Sequence, residues 1–533
     1  MKRPRPTILD RFIGWLSPHA GFERARWRAY TAASRSVVDA VASDRLRSEW
    51  TNKIRDADAA HANRDHIRNV VRDVVLQNPF ASGAVDRIVA NVVGRGIRPQ
   101  CRLRADTPDS RPADPPSGWR PVSEAQAAAF QTAAETLFSE FAEAADVRGQ
   151  LNFYGLQEVV QRQLINDGES LVHLPRLKTP GRPTTFGLDL IEVDRLGTPL
   201  GKSLDKNVRD GVEIDPATGQ PVAYWLRDTH PGDTKALSMG KYTRVPRFTD
   251  AGQPQILHLY YHRRPGQTRG ISEFTPALSI VEDLHRYWEA EIVAARVAAC
   301  YTAFVESPAA WNIQQHAGDT NTAGQREEEM EPGKIWYGQP GEKITFGNPQ
   351  RPNAQLGQFT EILLRALGVA LGLPYELIAL NFSTTTYSSS RTSALEARRT
   401  FQSRQAYLTS CLCRHIWELV VREGILTGRL GAPGFAARPR DYLAAYWIAP
   451  AWGWVDPVKE ETAARESIAG YLSTHSDELA AQGRDLDNTL EQVSREHKKL
   501  KTLGLPSPWD AVAPPQATGA VAAEQEIKDA LAD

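Results

Sequence analysis

Residues 353–424 read NAQLGQFTEILLRALGVALGLPYELIALNFSTTTYSSSRTSALEARRTFQSRQAYLTSCLCRHIWELVVREG. The run divides into helix, polar loop and helix. Leu356, Phe359, Leu363, Leu367 and Ala370 recur at helical spacing, which predicts a first helix from Asn353 to about Leu371. Gly372 and Pro374 supply its stop. The segment Asn381 to Arg391 has almost nothing to bury, and its short hydroxyls favour local backbone bonds over regular structure. Ser393-x-x-Glu396 has the form of a capping box. Behind it Phe401, Gln405, Leu408, Leu412, Ile416 and Leu419 mark one face of a long helix ending near Gly424. Arg391, Arg398, Arg399 and Arg404 lie on its early turns. Such a loop between two amphipathic helices is built to present something, and not like a catalytic cleft.

A matching long helix lies upstream. It is expected to start at Thr275 as cap and Pro276 in the first turn. Ala277, Ile280, Leu284, Trp288, Ile292, Ala295 and Ala299 keep one stripe to about Thr302. That is roughly 27 residues and about 40 Å at about 1.5 Å per residue. Between the two helices, Val305 to Pro352 breaks into short strands and turns and carries the acidic residues Glu327, Glu328, Glu329 and Glu331. Those glutamates read most simply as a solvated face; the sharper alternative is a docking patch for a basic partner.

Nearer the amino end, Ile67, Val70, Val71 and Val74 form a helical stripe, broken at Asn78-Pro79 and followed by a second stripe of Val85, Ile88, Val89 and Val92. Gly94 stops that helix and a strand is expected from Ile97 to Leu103. Residues 105–121 are a linker or long surface loop. Helices follow at about Ser123–Ala145 and Tyr154–Ile165, then the turn Asn166-Asp167-Gly168 and a strand at Leu171–Leu174. The chain to about Arg263 is mostly β, with strands at Leu188–Val193, Val222–Arg227 and Ile256–His262 and a hairpin turn at Asp215–Gly219. Helices resume from Asp456 to about Lys501, and the end from Pro506 is expected to be flexible.

Residues 1–60 are basic with Phe12, Trp15, Phe22, Trp27 and Tyr30 interleaved. A helical arm with a solvated face, or one wrapping a neighbouring subunit, is favoured over a nucleic-acid contact. Apolar residues make up 41% of the 533 and charged residues 24%, enough for a sizeable core and for about two to four domains. Net charge is −1, which argues against tight sequence-independent DNA binding but not against a surface past which DNA slides. Cys101, Cys300, Cys411 and Cys413 have neither metal nor disulfide-framework spacing and read as inert thiols in a reducing compartment. No run of 18 apolar residues exists, so no membrane helix is expected, and charges returning at Asp10 and Arg11 after Met1-Lys2-Arg3-Pro4 make a signal peptide unexpected.

Three stretches approach catalytic or metal-binding patterns without meeting them. Gly197 to Ser203 misses a P-loop: the glycine spacing is one short, Pro199 removes an N–H donor, and no long helix follows. His258 and His262 sit on an expected strand without an intervening Glu, so ordinary strand histidines outweigh zinc ligands. Ser388, Ser389 and Ser390 lack a Gly-x-Ser-x-Gly elbow. An NTPase or hydrolase is disfavoured, and no metal or cofactor is expected.

Together these segments resemble the portal proteins of tailed bacteriophages, specifically the lambda-type portal family. The resemblance covers about Asn63 to Glu496. It is carried by Asn78–Ala84 with Asn91–Ile97, Asp167-Gly168-Glu169, Gly211–Asp215 with Val222-Ala223-Tyr224, Arg264–Ser272, Tyr387–Arg391 and Trp454–Glu460. It implies an α+β subunit, with a mixed wing, a two-helix stem, a small α/β clip, a long tunnel helix and a helical crown. Laid on this sequence, 1–62 is the basic arm, 63–272 the first part of the wing, 273–304 the first stem helix and 305–352 the clip. Residues 353–374 are the second stem helix, 375–392 the tunnel loop, 393–455 the tunnel helix and second part of the wing, 456–505 the crown and 506–533 the tail.

The resemblance further implies a non-enzymatic homo-oligomeric ring, typically of about twelve subunits, at one capsid vertex of the virion, assembled in the host bacterial cytoplasm. Double-stranded DNA passes through the ring during packaging and ejection. The clip, with Glu327, Glu328, Glu329 and Glu331, meets the terminase large subunit and then the head–tail adaptor; major capsid and scaffold proteins are the other partners, and no membrane is involved. Ser383, Thr384, Thr385, Thr386, Tyr387, Ser388, Ser389 and Ser390 line the channel. Arg391 and Arg398 either touch phosphate weakly or pair with Glu396 and a neighbouring subunit. Another ring-forming DNA-binding protein without a capsid is the alternative; it calls for a more basic helix face.

Overall fold

A computed structural model describes residues 56–58, 63–106, 115–177, 179–233, 240–300, 304–306, 343–345, 356–383, 386–452 and 457–506. The arm before residue 56, the tail beyond 506 and most of 305–352, with Glu327, Glu328, Glu329 and Glu331, lie outside the described residues. The chain is a mixture of helix and antiparallel sheet, divided into two compact units. The first comprises 1–90, 159–175 and 188–403; the second, 91–158, 176–187 and 404–533.

In the first unit, α1 (Arg64–Gln77) and α2 (Pro79–Val92) meet at Asn78. Asn78 Oδ1 accepts from the N–H groups of Phe80 and Ala81 at 3.0 and 3.1 Å, which caps α2 where the proline opens it. Helix α4 (Phe153–Asn166) leads through Asp167-Gly168 into β2 (Glu169–His173). β2 is the centre of a three-stranded antiparallel sheet, with β3 (Asp189–Ile191) and β8 (Ile256–Tyr260) on either side. A second, four-stranded sheet runs β4 (Val208–Arg209), β5 (Val212–Ile214), β6 (Pro221–Arg227) and β7 (Tyr242–Pro246) in order. One core joins the two sheets: Leu171, Ile191, Val193, Leu196, Val212, Tyr224, Leu226 and Ile256.

Helix α5 (Leu278–Cys300) starts later than expected. Thr275 is not its cap, because its hydroxyl donates back to Ser272 O at 2.6 Å. Ala277, Leu278, Val281 and Leu284 are buried, whereas Trp288 and Ile292 emerge into solvent, as does Val293. Tyr287 packs on Phe359 of α6 (Leu356–Leu371) with ring centres 4.7 Å apart, and Trp288 Nε1 donates to Thr360 Oγ1 at 3.0 Å. Beyond α5, Phe304–Glu306 (β9) pairs antiparallel with Lys343–Thr345 (β10), the two described pieces of the expected small insert.

The second unit packs α3 (Glu124–Glu143) against the far part of the long helix. Ser123 and Gln126 cap α3 reciprocally, which satisfies two of its free N–H groups. Phe138 meets Phe153 and Trp417 at 5.5 Å each, and Trp417 Nε1 donates to Leu443 O at 3.0 Å. Strand β1 (Arg98–Cys101) pairs antiparallel with β11 (Ala445–Ile448), which follows the short helix α10 (Pro439–Tyr442). Helices α11 (Pro457–Ala469), α12 (His475–Ala481) and α13 (Leu486–Leu503) follow. Burial pushes the Cys101 thiol up to about 11 and raises that of Cys413, so neither ionises near neutrality.

Candidate nucleic-acid interface

Helix α6 ends at Gly372, whose φ is +71° and whose added Cβ would lie 2.9 Å from Thr400 Cγ2. A short helix, α7 (Tyr375–Ala379), follows and closes on Leu380 in the left-handed conformation at φ 51°. Asn381 Oδ1 then accepts from Ser383 N at 3.1 Å and Ser383 Oγ at 2.6 Å, the local bonding expected of this segment. Ser383 is exposed, while Thr384 and Thr385 lie outside the described residues.

The loop is shorter than its composition suggested. Helix α8 runs Tyr387–Leu408, so Tyr387, Ser388, Ser389, Ser390 and Arg391 form its first turns. Thr386 caps it: its hydroxyl oxygen accepts from Ser389 N at 3.3 Å and its carbonyl from Ser390 N at 2.9 Å. Ser393-x-x-Glu396 is therefore no capping box but two positions inside the helix. Glu396 is paired with Arg399 at 3.2 Å, an exposed contact that stabilises by a few tenths of a kcal/mol.

The hydroxyls bond locally. Ser389 Oγ donates to Thr386 O at 3.0 Å, and Thr392 Oγ1 donates to Ser388 O at 3.0 Å. Thr386, Ser388, Ser389 and Arg391 are exposed, and Ser390 and Arg398 half-buried. The start of α8 thus offers a neutral hydroxylated surface with Arg391 at its edge. The far side of the same helix is anchored by buried Ala397 and Phe401. The chain then continues as one helical run through a π turn at Thr409–Cys413 into α9 (Arg414–Leu426). Every member of the stripe from Phe401 to Leu419 read from the sequence is buried.

No group of three or more His, Cys, Asp or Glu able to hold a metal occurs among the described residues. The His258 side chain is instead buried, with Nε2 2.9 Å from Glu169 Oε2. Glu169 is the hub of a charged network that sequence reasoning missed. It accepts from Arg269 Nη2 at 2.6 Å, Arg68 Nη2 at 3.2 Å and Gly270 N at 2.9 Å. Burial works to raise its carboxyl, but Arg269 and His258 hold it well below the ordinary carboxylate range. The available signals were Asp167-Gly168-Glu169 and Arg269-Gly270. Gly168 has φ +84°, and a Cβ there would lie 2.0 Å from the Ile271 carbonyl carbon. Only glycine admits so close a backbone approach.

Comparison with known proteins places the chain in a class of structural proteins of the phage capsid. The family "Phage portal protein, lambda family" matches residues 43–405. A probable portal protein of Halomonas phage phiHAP-1 is 29% identical over 503 residues, 91% of this chain and 90% of that one. The portal protein of Escherichia phage N15 is 25% identical over 502 residues, covering 87% and 90%, and portal protein B of Escherichia phage lambda is 25% identical over 476, covering 83% and 85%. A chain in the neck of an empty gene transfer agent particle aligns with 78% of this chain and 93% of its own length, at 15% identity and a TM-score of 0.44. The chain belongs to the lambda family of phage portal proteins. Its role is that of a portal in the phage capsid.

Proposed function

We propose that this chain assembles into a closed ring of about twelve copies at one capsid vertex, with the start of α8 facing an axial DNA channel. In this reading α5 and α6 are the stem pair, the strands at 304–306 and 343–345 the root of the clip, α8 and α9 the tunnel helix, and α11 to α13 the crown. The observation that carries it is the hydroxylated first turn of α8. The hydroxyls of Thr386 and Ser389 are already engaged locally, so this surface makes weak, exchangeable contacts with a passing phosphate backbone. Strong cationic contacts at the same place would hold the DNA still.

A second observation favours a ring. Trp288 and Ile292 on α5, and Phe359, Ile362 and Val369 on α6, are apolar yet exposed in the single chain, Val369 by 85%. A neighbouring subunit would cover them. The clip would meet the terminase large subunit during packaging and the head–tail adaptor afterwards, and the wing the major capsid and scaffold proteins, with assembly in the host cytoplasm. A ring-forming DNA-binding protein without a capsid role is set aside by the family membership. Deleting residues 383–386 tests the channel assignment. Rings that form but package or retain DNA poorly agree with it, and packaging at the wild-type level removes it.

A further inference from the structure

Gly197 to Ser203, the stretch that approaches a P-loop in sequence, folds as something else. Pro199 opens a single 3-10 turn over Leu200–Lys202, with no long helix behind it. Lys202 N donates to Pro199 O at 2.9 Å, Asp205 N to Lys202 O at 3.0 Å and Val208 N to Asp205 O at 3.1 Å. Asp205 Oδ1 accepts from Asn207 N at 3.0 Å, and Thr198 Oγ1 from Gly211 N at 2.9 Å. Both ends are fixed to the four-stranded sheet, by Gly197 N on Trp225 O at 3.2 Å and by buried Val208 at the start of β4. On this well-bonded support Leu200 is 65% exposed and Leu204 84%. Neither belongs to the core that joins the two sheets. Exposed Lys202 and Lys206 flank Leu204; Lys202 pairs with Asp205 at 3.2 Å, and Lys206 has no ion pair among the described residues.

We propose that this loop docks an acidic, amphipathic segment of another protein, whose apolar side chains seat on Leu200 and Leu204 and whose carboxylates face Lys202 and Lys206. An apolar pair displayed on a fixed turn is a surface made for contact, because the turn's own bonds do not use it. Charge selects the occupant: between 198 and 208 the loop carries Lys202 and Lys206 against Asp205 alone. A second copy of this chain is the poorer fit. Permanent subunit interfaces are apolar and poor in charge, as is the exposed set Trp288, Ile292, Phe359, Ile362 and Val369 on α5 and α6. Leucines interleaved with lysines make a separable contact instead, one that charge steers and salt weakens. The proposal rests on the portal reading for its setting, since it gives the chemistry of one partner of the wing.

Photo-crosslinking tests this in the full chain, with p-benzoylphenylalanine in place of Leu204 and the other capsid proteins of its phage expressed alongside. The expected product joins position 204 to a peptide of another protein with an excess of Asp and Glu, and Lys206→Glu lowers its yield at least about fivefold. Native mass measurement of the double variant Leu200→Ser, Leu204→Ser should show rings of wild-type mass that enter capsids at least about tenfold less often. A crosslink to a second copy of this chain, a captured peptide without an acidic excess, no product, or a yield indifferent to Lys206→Glu overturns the proposal. Loss of the ring in the double variant, or its normal entry into capsids, overturns it equally. A wild-type chain that forms no ring counts against the portal reading itself, whatever the crosslink shows.

Discussion

Glu169 and Arg269 lock together through two points: Arg269 Nε lies 2.9 Å from Oε2 and Nη2 lies 2.6 Å from Oε1, with both side chains almost wholly buried. The pair joins β2 to the loop that leads into α5, a hundred residues further along the chain. A buried pair of this kind adds little over an apolar filling, but breaking it exposes the desolvation cost of the partner left behind. Glu169→Gln should therefore destabilise the first unit by about 3–5 kcal/mol, read as a lowered denaturation midpoint. A shift under about 1 kcal/mol contradicts the assigned hub.

His258 sets the acid response. Burial lowers its pKa, and its Nδ1 has no hydrogen-bond partner to receive a second proton's bond. The unfolded chain thus takes up the proton first, from about pH 6.5 downward, and stability falls as pH falls through that window. His173, also lowered by burial, acts in the same direction. Glu169 contributes only further down, its stabilising effect being lost as pH falls below the ordinary carboxylate value towards its own depressed one. Asp167, raised by burial against the opposing pull of Arg72, partly offsets it there. His258→Gln should flatten the slope of stability between about pH 6.5 and 5. An unchanged slope counts against a neutral, buried His258.

The start of α8 gives a sharp comparison. Thr386→Ala removes the cap and should cost about 1 kcal/mol, whereas Ser393→Ala, one of the helix's interior positions, should shift stability by less than about 0.5 kcal/mol. Thermal midpoints of the two variants decide it; the reverse ranking would restore Ser393 as the cap.

Gly168→Ala combines a positive φ with a carbonyl in the way. It should destabilise by well over 1 kcal/mol, while Gly181→Ala, at φ +83° with open space around it, pays only for the backbone conformation. Equal effects would mean that the Ile271 contact does not matter.

Much of the architecture was legible because apolar stripes at helical spacing fall where packing needs them. Phe401 to Leu419 and Val85 to Val92 are buried as read. Period alone cannot report a face buried through arginines, which is why α1 was assigned Ile67 and Val70 rather than Arg64 and Arg68. Strand β7 was missed because Thr243, Arg244 and Pro246 are exposed on a sheet edge and give no alternating apolar signal. The loop was drawn too long because serines suit both a loop and a first helical turn. The Ser393–Glu396 spacing matches a capping box, yet the hydroxyl that caps the helix is that of Thr386. Of the residues proposed to line a channel, Ser383, Thr386, Ser388, Ser389 and Arg391 are exposed and Ser390 is half-buried. Arg398, two turns further on, is half-buried.

The ring is the central claim, and native mass measurement with imaging of the purified full chain tests it most directly. At 59.1 kDa per chain, a closed assembly of about twelve copies has a mass of about 700 kDa and an open axial channel. That is the expected result. A chain that stays monomeric at micromolar concentration, with no annular particles in the images, contradicts it.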